Sequence, residues 1–335
     1  MDKAVKISIL VTTYNLKPYI SQALKSVLGQ ETDYPFEVLV GDDGSDDGTI
    51  ELVRKWAEWD PRVTLIVQDR PAGPQNKVLR AAANRLSLLK RAQGEYCSFL
   101  DGDDHYTDCQ RLQRMTDILE KEENRDCIMC AHNLRMDWPD GSYSRLCRAK
   151  REQKLSVQRY WKLMFLQANA LLFRNIYREH KPEGALAACF DDNNITWWLF
   201  QYGKMYYLPE CMGAYRQLES SSWNEMDEIQ HSALNLLGYG VELSVAPDLK
   251  KLSAIRHYPD LAALYEQRGK FSPEDLSPFY ETAEQLGLEE TLRLYRMGEL
   301  PEQEQEKLGK EIMRLKLEYG KARLARGIRK GLGRY

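Results

Sequence analysis

Long apolar runs are missing from this sequence. No stretch approaches the roughly 18 consecutive apolar residues of a membrane-spanning helix. Strong charge of either sign is missing too. The 335 residues carry a formal net charge of -3, which argues against a general nucleic-acid binder. The seven cysteines, at 97, 109, 127, 130, 147, 189 and 211, are odd in number and lie mostly in apolar stretches, as expected of buried thiols in a reducing compartment. Cys127 and Cys130 with nearby His132 resemble half a zinc site. A closed site needs four ligands, and no second pair exists. Internal repeats are absent. So is a signal-peptide hydrophobic region, because the chain opens directly on a strand pattern; a cytoplasmic location is expected.

What is present is enough for a full-sized core: 43% hydrophobic and 29% charged residues. The first hundred residues alternate short apolar runs with helical patterns. Strands are expected at 5–11, 36–40, 63–67 and 96–100, and helices at 16–28, 49–59 and 77–91. That βαβαβαβ order predicts an α/β fold, a mostly parallel sheet flanked by helices, with ligands beyond the carboxyl ends of the strands. Further on, helices are expected at 111–122, 157–166 and 195–201, and strands at 127–131, 170–173, 204–208 and 213–216. After about residue 225 the pattern is helical, with prolines at 273 and 301 suited to first helical turns. Two parts are expected: a domain over 1–225, and a helical C-terminal extension over 226–335 that ends in a basic amphipathic tail.

Acidic clusters fall at the expected strand ends. Gly41-Asp42-Asp43-Gly44-Ser45-Asp46-Asp47-Gly48 follows the second strand, and Asp101-Gly102-Asp103-Asp104 follows the fourth. A third, Asp191-Asp192, precedes a helix. The first cluster imitates the start of a calcium loop, but Arg54 stands where the bidentate glutamate belongs. The second would repel itself unless a cation or solvent neutralised it. Hard divalent cations use one or two carboxylates together with substrate phosphates, so this cluster points to a metal-bound diphosphate. A dinucleotide-dependent dehydrogenase is excluded, since Thr12-Thr13-Tyr14-Asn15 occupies the place of the glycine-rich turn.

As an ordered set, these segments resemble the family 2 glycosyltransferases. They run from Ile7 through Tyr14-Asn15 and Gln30, from Phe36 to Thr49, from Gly94 to Asp104, and from Tyr202 through Pro209 to Arg216. The resemblance covers about residues 5–223 and implies a GT-A fold, a Rossmann-like sheet that holds a nucleoside-diphosphate sugar. Thr12, Tyr14 and Asp43 would then hold the nucleoside, Arg80 would contact the donor, and Asp101 would lie near ribose or metal. Asp103 or Asp104 would coordinate Mn2+ or Mg2+. Asp192, with Asp191 as the fallback, would be the base of an inverting transfer to an acceptor hydroxyl, on a glycan or lipid-linked acceptor in polysaccharide or glycolipid biosynthesis. Leu218 stands where the family often has a histidine after Tyr-Arg, and the Gln-x-x-Arg-Trp motif of processive members is missing, which favours single-sugar addition. Tyr215 and Trp223 are candidates for sugar stacking, while His132, Trp197 and Trp198 are expected to be structural. The tail from Lys321 to Tyr335 carries six cations and no acid, a candidate for an anionic membrane surface. The alternative is a catalytically silent nucleotide-sugar-binding protein on the same fold.

Overall fold

The computed structural model describes residues 4–69, 77–163, 165–218, 226–277 and 279–331. Two compact units are present: Met1–Val157, Phe165–Glu183 and Phe190–Leu218 make the first, and Gln158–Met164, Gly184–Cys189 and Glu219–Tyr335 the second.

The first unit is built on one sheet. Its strands are β1 (Ile7–Thr13), β2 (Phe36–Asp42), β3 (Val63–Val67), β4 (Tyr96–Asp101), β5 (His105–Tyr106), β6 (Cys127–Asp137), β7 (Tyr143–Arg145), β8 (Gln153–Leu155), β9 (Leu171–Arg174) and β10 (Lys204–Arg216). The order is β3-β2-β1-β4-β9-β6-β10-β5, with β7 on β6 and β8 on β10. Strands β3, β2, β1 and β4 are mutually parallel. Because β9 runs antiparallel to both β4 and β6, and β10 parallel to β6, the carboxyl ends of β1, β2, β4, β6 and β10 share one side of the sheet. Its helices are α1 (Ile20–Leu28), α2 (Thr49–Trp59), α3 (Lys77–Arg91) and α4 (Arg111–Glu120). The short α5 (Val157–Leu163), apart from its first residue, and α6 (Gly184–Ala188) belong to the second unit, whereas α7 (Asp192–Phe200) belongs to the first.

Burial follows the apolar runs. Ile7, Ile9 and Val11 of β1 pack with Val38 and Val40 of β2 and with Ile20, Ala23, Leu24 and Val27 of α1. Each of these Ile, Val and Leu side chains stabilises the fold by about 1.5–3 kcal/mol. Phe99, Phe173, Phe190 and Trp198 form an aromatic chain on the opposite side of β4, with successive ring centroids 5.5–6.4 Å apart. Trp197 and Trp198 are both buried.

Three expectations are corrected. The first helix begins at Ile20 rather than Leu16, because Leu16 and Lys17 donate their backbone N–H groups to Thr49 Oγ1 and Asp47 Oδ2 across the loop. The expected strand pair 204–208 and 213–216 is one strand, β10, in which register shifts around Leu208–Cys211 accommodate Pro209. The helix expected at 195–201 begins three residues earlier, at Asp192.

The second unit is helical. It contains α8 (Glu228–Val245), α9 (Lys250–Arg256), α10 (Tyr258–Gln267), α11 (Phe279–Gln285), α12 (Glu289–Tyr295) and α13 (Glu302–Gly331). Asp227 and Gln230 form a reciprocal capping box that starts α8. Among the described residues no helix is long and apolar enough to cross a membrane.

Candidate active site

Strand β1 ends at Thr13, and the chain then turns through Asn15, which has a φ of 53°. Asparagine tolerates this left-handed geometry, and its side chain uses it: Asn15 Nδ2 donates to Asp46 Oδ1 at 2.9 Å and Oδ1 accepts from Asp46 N at 3.0 Å. The acidic loop after β2 divides its labour. Asp42 is fully buried and accepts from Gly44 N, Ser45 N and Ser45 Oγ at 2.7–2.9 Å. Burial pushes its carboxyl upward against those hydrogen bonds. Asp47 accepts from Thr49 N and Oγ1 at the start of α2. Asp43 faces a cation. Arg80 of α3 grips it with two nitrogens, at 2.7 Å from Nε and 2.5 Å from Nη2. Tyr14 lies within electrostatic reach of the same guanidinium, whose Nη1 is buried with no hydrogen-bond partner among the described residues. Three of the residues assigned to the donor, Tyr14, Asp43 and Arg80, are thus neighbours.

A second group gathers at the end of β4. Thr12 Oγ1 donates to Asp101 Oδ1 at 2.6 Å. Arg85 Nη2 donates to both Asp101 oxygens at 3.1 and 3.2 Å, and the same nitrogen lies 3.9 Å from Asp192 Oδ1. Arg85 therefore bridges two candidate carboxylates brought together from β4 and α7. Sequence reasoning missed it. The signal was there, since Ala82, Arg85 and Leu89 recur at helical spacing on the buried face of α3. Burial opposes the charge of Arg85, but Asp101, Asp192 and Asp191 outweigh it and hold the guanidinium protonated.

Asp103 and Asp104 differ in circumstance. Asp104 is 1% exposed and fully engaged: Oδ2 accepts from Asn169 Nδ2 at 2.6 Å and Oδ1 from Arg216 N at 2.8 Å. Burial, then Asp103 and Asp101, drive its carboxyl well above the usual range. Asp103 is pushed up to about 6 by burial and by Asp101, and its backbone carbonyl accepts from Arg216 Nη1. Among the described residues no three His, Cys, Asp or Glu side chains converge as a metal cage.

The two acids at α7 are also distinguished. Asp191 is the N-cap and accepts from Asn194 N at 2.9 Å. Asp192 is the first helical residue; its side chain is 23% exposed, and Oδ1 accepts from Ala168 N at 3.0 Å. Burial raises its pKa, Arg85 opposes the rise, and Asp101 adds to it. Burial raises the pKa of the Tyr215 phenol, hydrogen bonds to Gln217 and Gln167 oppose the rise, and the charges of Asp104 and Asp192 add to it. Trp223 lies outside the described residues. His132 is buried, with Nε2 accepting from Arg111 Nε at 2.8 Å and Nδ1 against Asn133 O at 2.6 Å, a neutral ring fixed in the core.

Comparison with known proteins gives this arrangement a class. The sequence model of the family described as Glycosyl transferase family 2 matches residues 8–181, just over half the chain. The chain belongs to that family. The uncharacterized protein Rv1520 of Mycobacterium tuberculosis is 27% identical over 239 residues, spanning 70% of this chain and 65% of its own. The uncharacterized glycosyltransferase EpsJ of Bacillus subtilis is 34% identical over 125 residues, or 37% of this chain and 33% of its own. The chain thus spans less than two thirds of the length of these relatives. Among solved structures, S. aureus TarS 1-349 in complex with UDP-GlcNAc matches with a TM-score of 0.58 and 17% identity, covering 88% of this chain and 90% of that one. The shared fold is the GT-A fold of glycosyltransferases.

Proposed function

We propose that the chain transfers one sugar from a nucleoside-diphosphate sugar to an acceptor hydroxyl, with inversion at the anomeric carbon. The observation that carries this reading is the Asp101–Arg85–Asp192 bridge, which sets a half-buried carboxylate of raised pKa beside the end of β4.

Each residue has a task. Tyr14, Asp43 and Arg80 hold the nucleoside end of the donor, and Thr12 and Asp101 orient the part nearest the metal. Asp103 fits a divalent cation, because a buried acid beside Asp101 is relieved by positive charge. Asp104 would complete the pair from its fixed position on Asn169 and Arg216. Two carboxylates and a diphosphate suit a hard ion with oxygen ligands. Bound there, Mn2+ or Mg2+ would neutralise the charge that grows on the leaving diphosphate. Asp192 takes the acceptor's proton as the acceptor oxygen bonds to the anomeric carbon; the bond from that carbon to the diphosphate oxygen breaks, and nucleoside diphosphate leaves with the electron pair. A raised pKa brings Asp192 nearer to neutrality, which favours a general base. Asp191 secures the helix that presents it. The acceptor is read as a glycan or lipid-linked glycan on the cytoplasmic side.

The test is release of nucleoside diphosphate from a panel of UDP-, GDP- and dTDP-sugars in the presence of Mn2+, repeated in EDTA. One donor should be consumed, and chelation should abolish its consumption. Undiminished turnover in metal-free buffer would remove Asp103 and Asp104 from their assigned role; a panel without any consumed donor would remove the activity.

A further inference from the structure

The segment that joins β7 to β8 carries Arg145, Arg148, Lys150 and Arg151, four cations in seven residues with no acid among them. In a chain of net charge -3 this local excess stands out. All four are exposed and among the described residues none of them forms an ion pair, although Arg145 donates from Nη2 to Pro209 O. Nearby charges are already committed: Arg135 to Asp137 at 2.6 and 2.8 Å, Lys154 to Asp126 at 2.8 Å, and Glu152 to Tyr206 Oη at 2.9 Å.

The backbone beneath these cations is pinned. Asn133, fully buried, spends both side-chain polar atoms on it: Nδ2 donates to Cys147 O at 2.6 Å, and Oδ1 accepts from Cys147 N at 2.8 Å. Leu146 N donates to Leu134 O at 2.9 Å, and Tyr207 Oη donates to Ala149 O at 3.4 Å. A buried asparagine thereby fixes a strip whose exposed side chains are cations.

The strip begins at the site. Strand register aligns Arg216, Asp137 and Tyr143 in one row, and His105, Ala214, Arg135 and Arg145 in the row two residues along each strand, on the same face of the sheet. Arg216 is the residue that holds Asp104 and the Asp103 carbonyl. Two strand spacings, about 10 Å, separate it from Tyr143. From Arg145 the cations continue for up to about 20 Å away from the carboxyl ends of the strands.

We infer that the acceptor is an anionic glycan chain, whose carboxylates or phosphodiesters lie along Arg145, Arg148, Lys150 and Arg151 while its growing end reaches Asp192. This rests on the glycosyl-transfer reading and deepens it. Guanidinium groups match carboxylate and phosphate oxygens with two parallel hydrogen bonds. Several exposed cations in a row attract a polyanion collectively, in a manner that salt weakens.

The experiment measures retention of the full chain on polygalacturonate, on polyglycerol phosphate, on phosphatidylglycerol vesicles and on neutral dextran, at low and raised salt. It compares wild type with Arg148→Gln/Lys150→Gln/Arg151→Gln and with the charge-preserving Arg148→Lys/Arg151→Lys. Thermal shift by the UDP-, GDP- and dTDP-sugars with Mn2+ is read in parallel. Wild type should bind at least one polyanion and not dextran, with at least tenfold weakening in the neutralised variant, recovery in the charge-preserving one, and an unchanged donor shift. The retained polyanion tells carboxylate from phosphodiester. Equal retention of wild type and the neutralised variant, or retention of wild type on neither polyanion, overturns the inference. So does a difference confined to phosphatidylglycerol vesicles, which would make the strip a membrane contact. Absence of a donor shift in wild type would instead sink the glycosyl-transfer reading on which it rests.

Discussion

Arg85 decides the electrostatics of the candidate site. One buried guanidinium lies between Asp101 and Asp192, and its positive charge favours the ionised form of Asp192 that burial opposes. For Asp192, burial and Asp101 raise the pKa and Arg85 holds the rise in check. Removing that check has a definite sign: in Arg85→Gln the pKa of Asp192 climbs further. The acid limb of the pH profile of kcat/KM should therefore move to higher pH, with activity recovering as pH rises. A profile reduced equally at every pH would leave Arg85 a purely structural residue. The sequence made the acids visible because three carboxylates in four residues at a strand end need an explanation. It did not distinguish Asp103 from Asp104, because that difference comes from Asn169 and Arg216, which are 65 and 112 positions away from Asp104.

Elements were legible in proportion to how much their own residues determine them. Strands β1, β2 and β4 read directly as mainly apolar runs because nearly all of their residues are buried, whereas in the edge strand β3 only Val63 is buried. Boundaries were less legible, since Leu16 and Lys17 look helical until their backbone groups are claimed by Thr49 and Asp47. Gly94 is another case of remote control. A β-carbon there would sit 2.7 Å from Ser8 N and 2.8 Å from the Ile7 carbonyl carbon, so the close passage of β1 requires glycine. At the other end of the chain, α13 runs as one helix to Gly331, while the side chains of the basic tail beyond Ala322 lie outside the described ones. Lys321, Arg323, Arg326, Arg329 and Lys330 have no acid interspersed, and each cation near an anionic lipid surface contributes about 1 kcal/mol. The full chain should sediment with anionic vesicles and a version ending at Tyr319 should not. Equal partitioning of both would rule out the tail as an anchor.

At the scale of the whole molecule, the helical second unit has an ionic core of its own. His257 is buried, with Nε2 at 3.2 Å from Glu242 Oε1 and Nδ1 at 3.7 Å from Asp260 Oδ2, while Ser253 Oγ donates to the other Glu242 oxygen. Burial opposes the imidazolium, but Glu242 and Asp260 outweigh it and push His257 up to about 9. A group whose pKa is higher folded than unfolded stabilises the fold most below the unfolded value of about 6.5. That contribution declines as pH rises and is lost above about 9. Thermal stability should fall across this window in wild type, and His257→Gln, less stable at pH 6, should lack that slope; parallel curves would show the ring to be neutral.

The account turns on Asp192, and single-turnover transfer with saturating donor tests it most directly. Asn at 192 preserves size and polarity but cannot take the acceptor's proton, so the rate should fall by roughly two to four orders of magnitude while donor binding survives. Asp191→Asn, a substitution of one good N-cap for another, should stay close to wild type. An active Asp192→Asn beside a crippled Asp191→Asn would contradict the account.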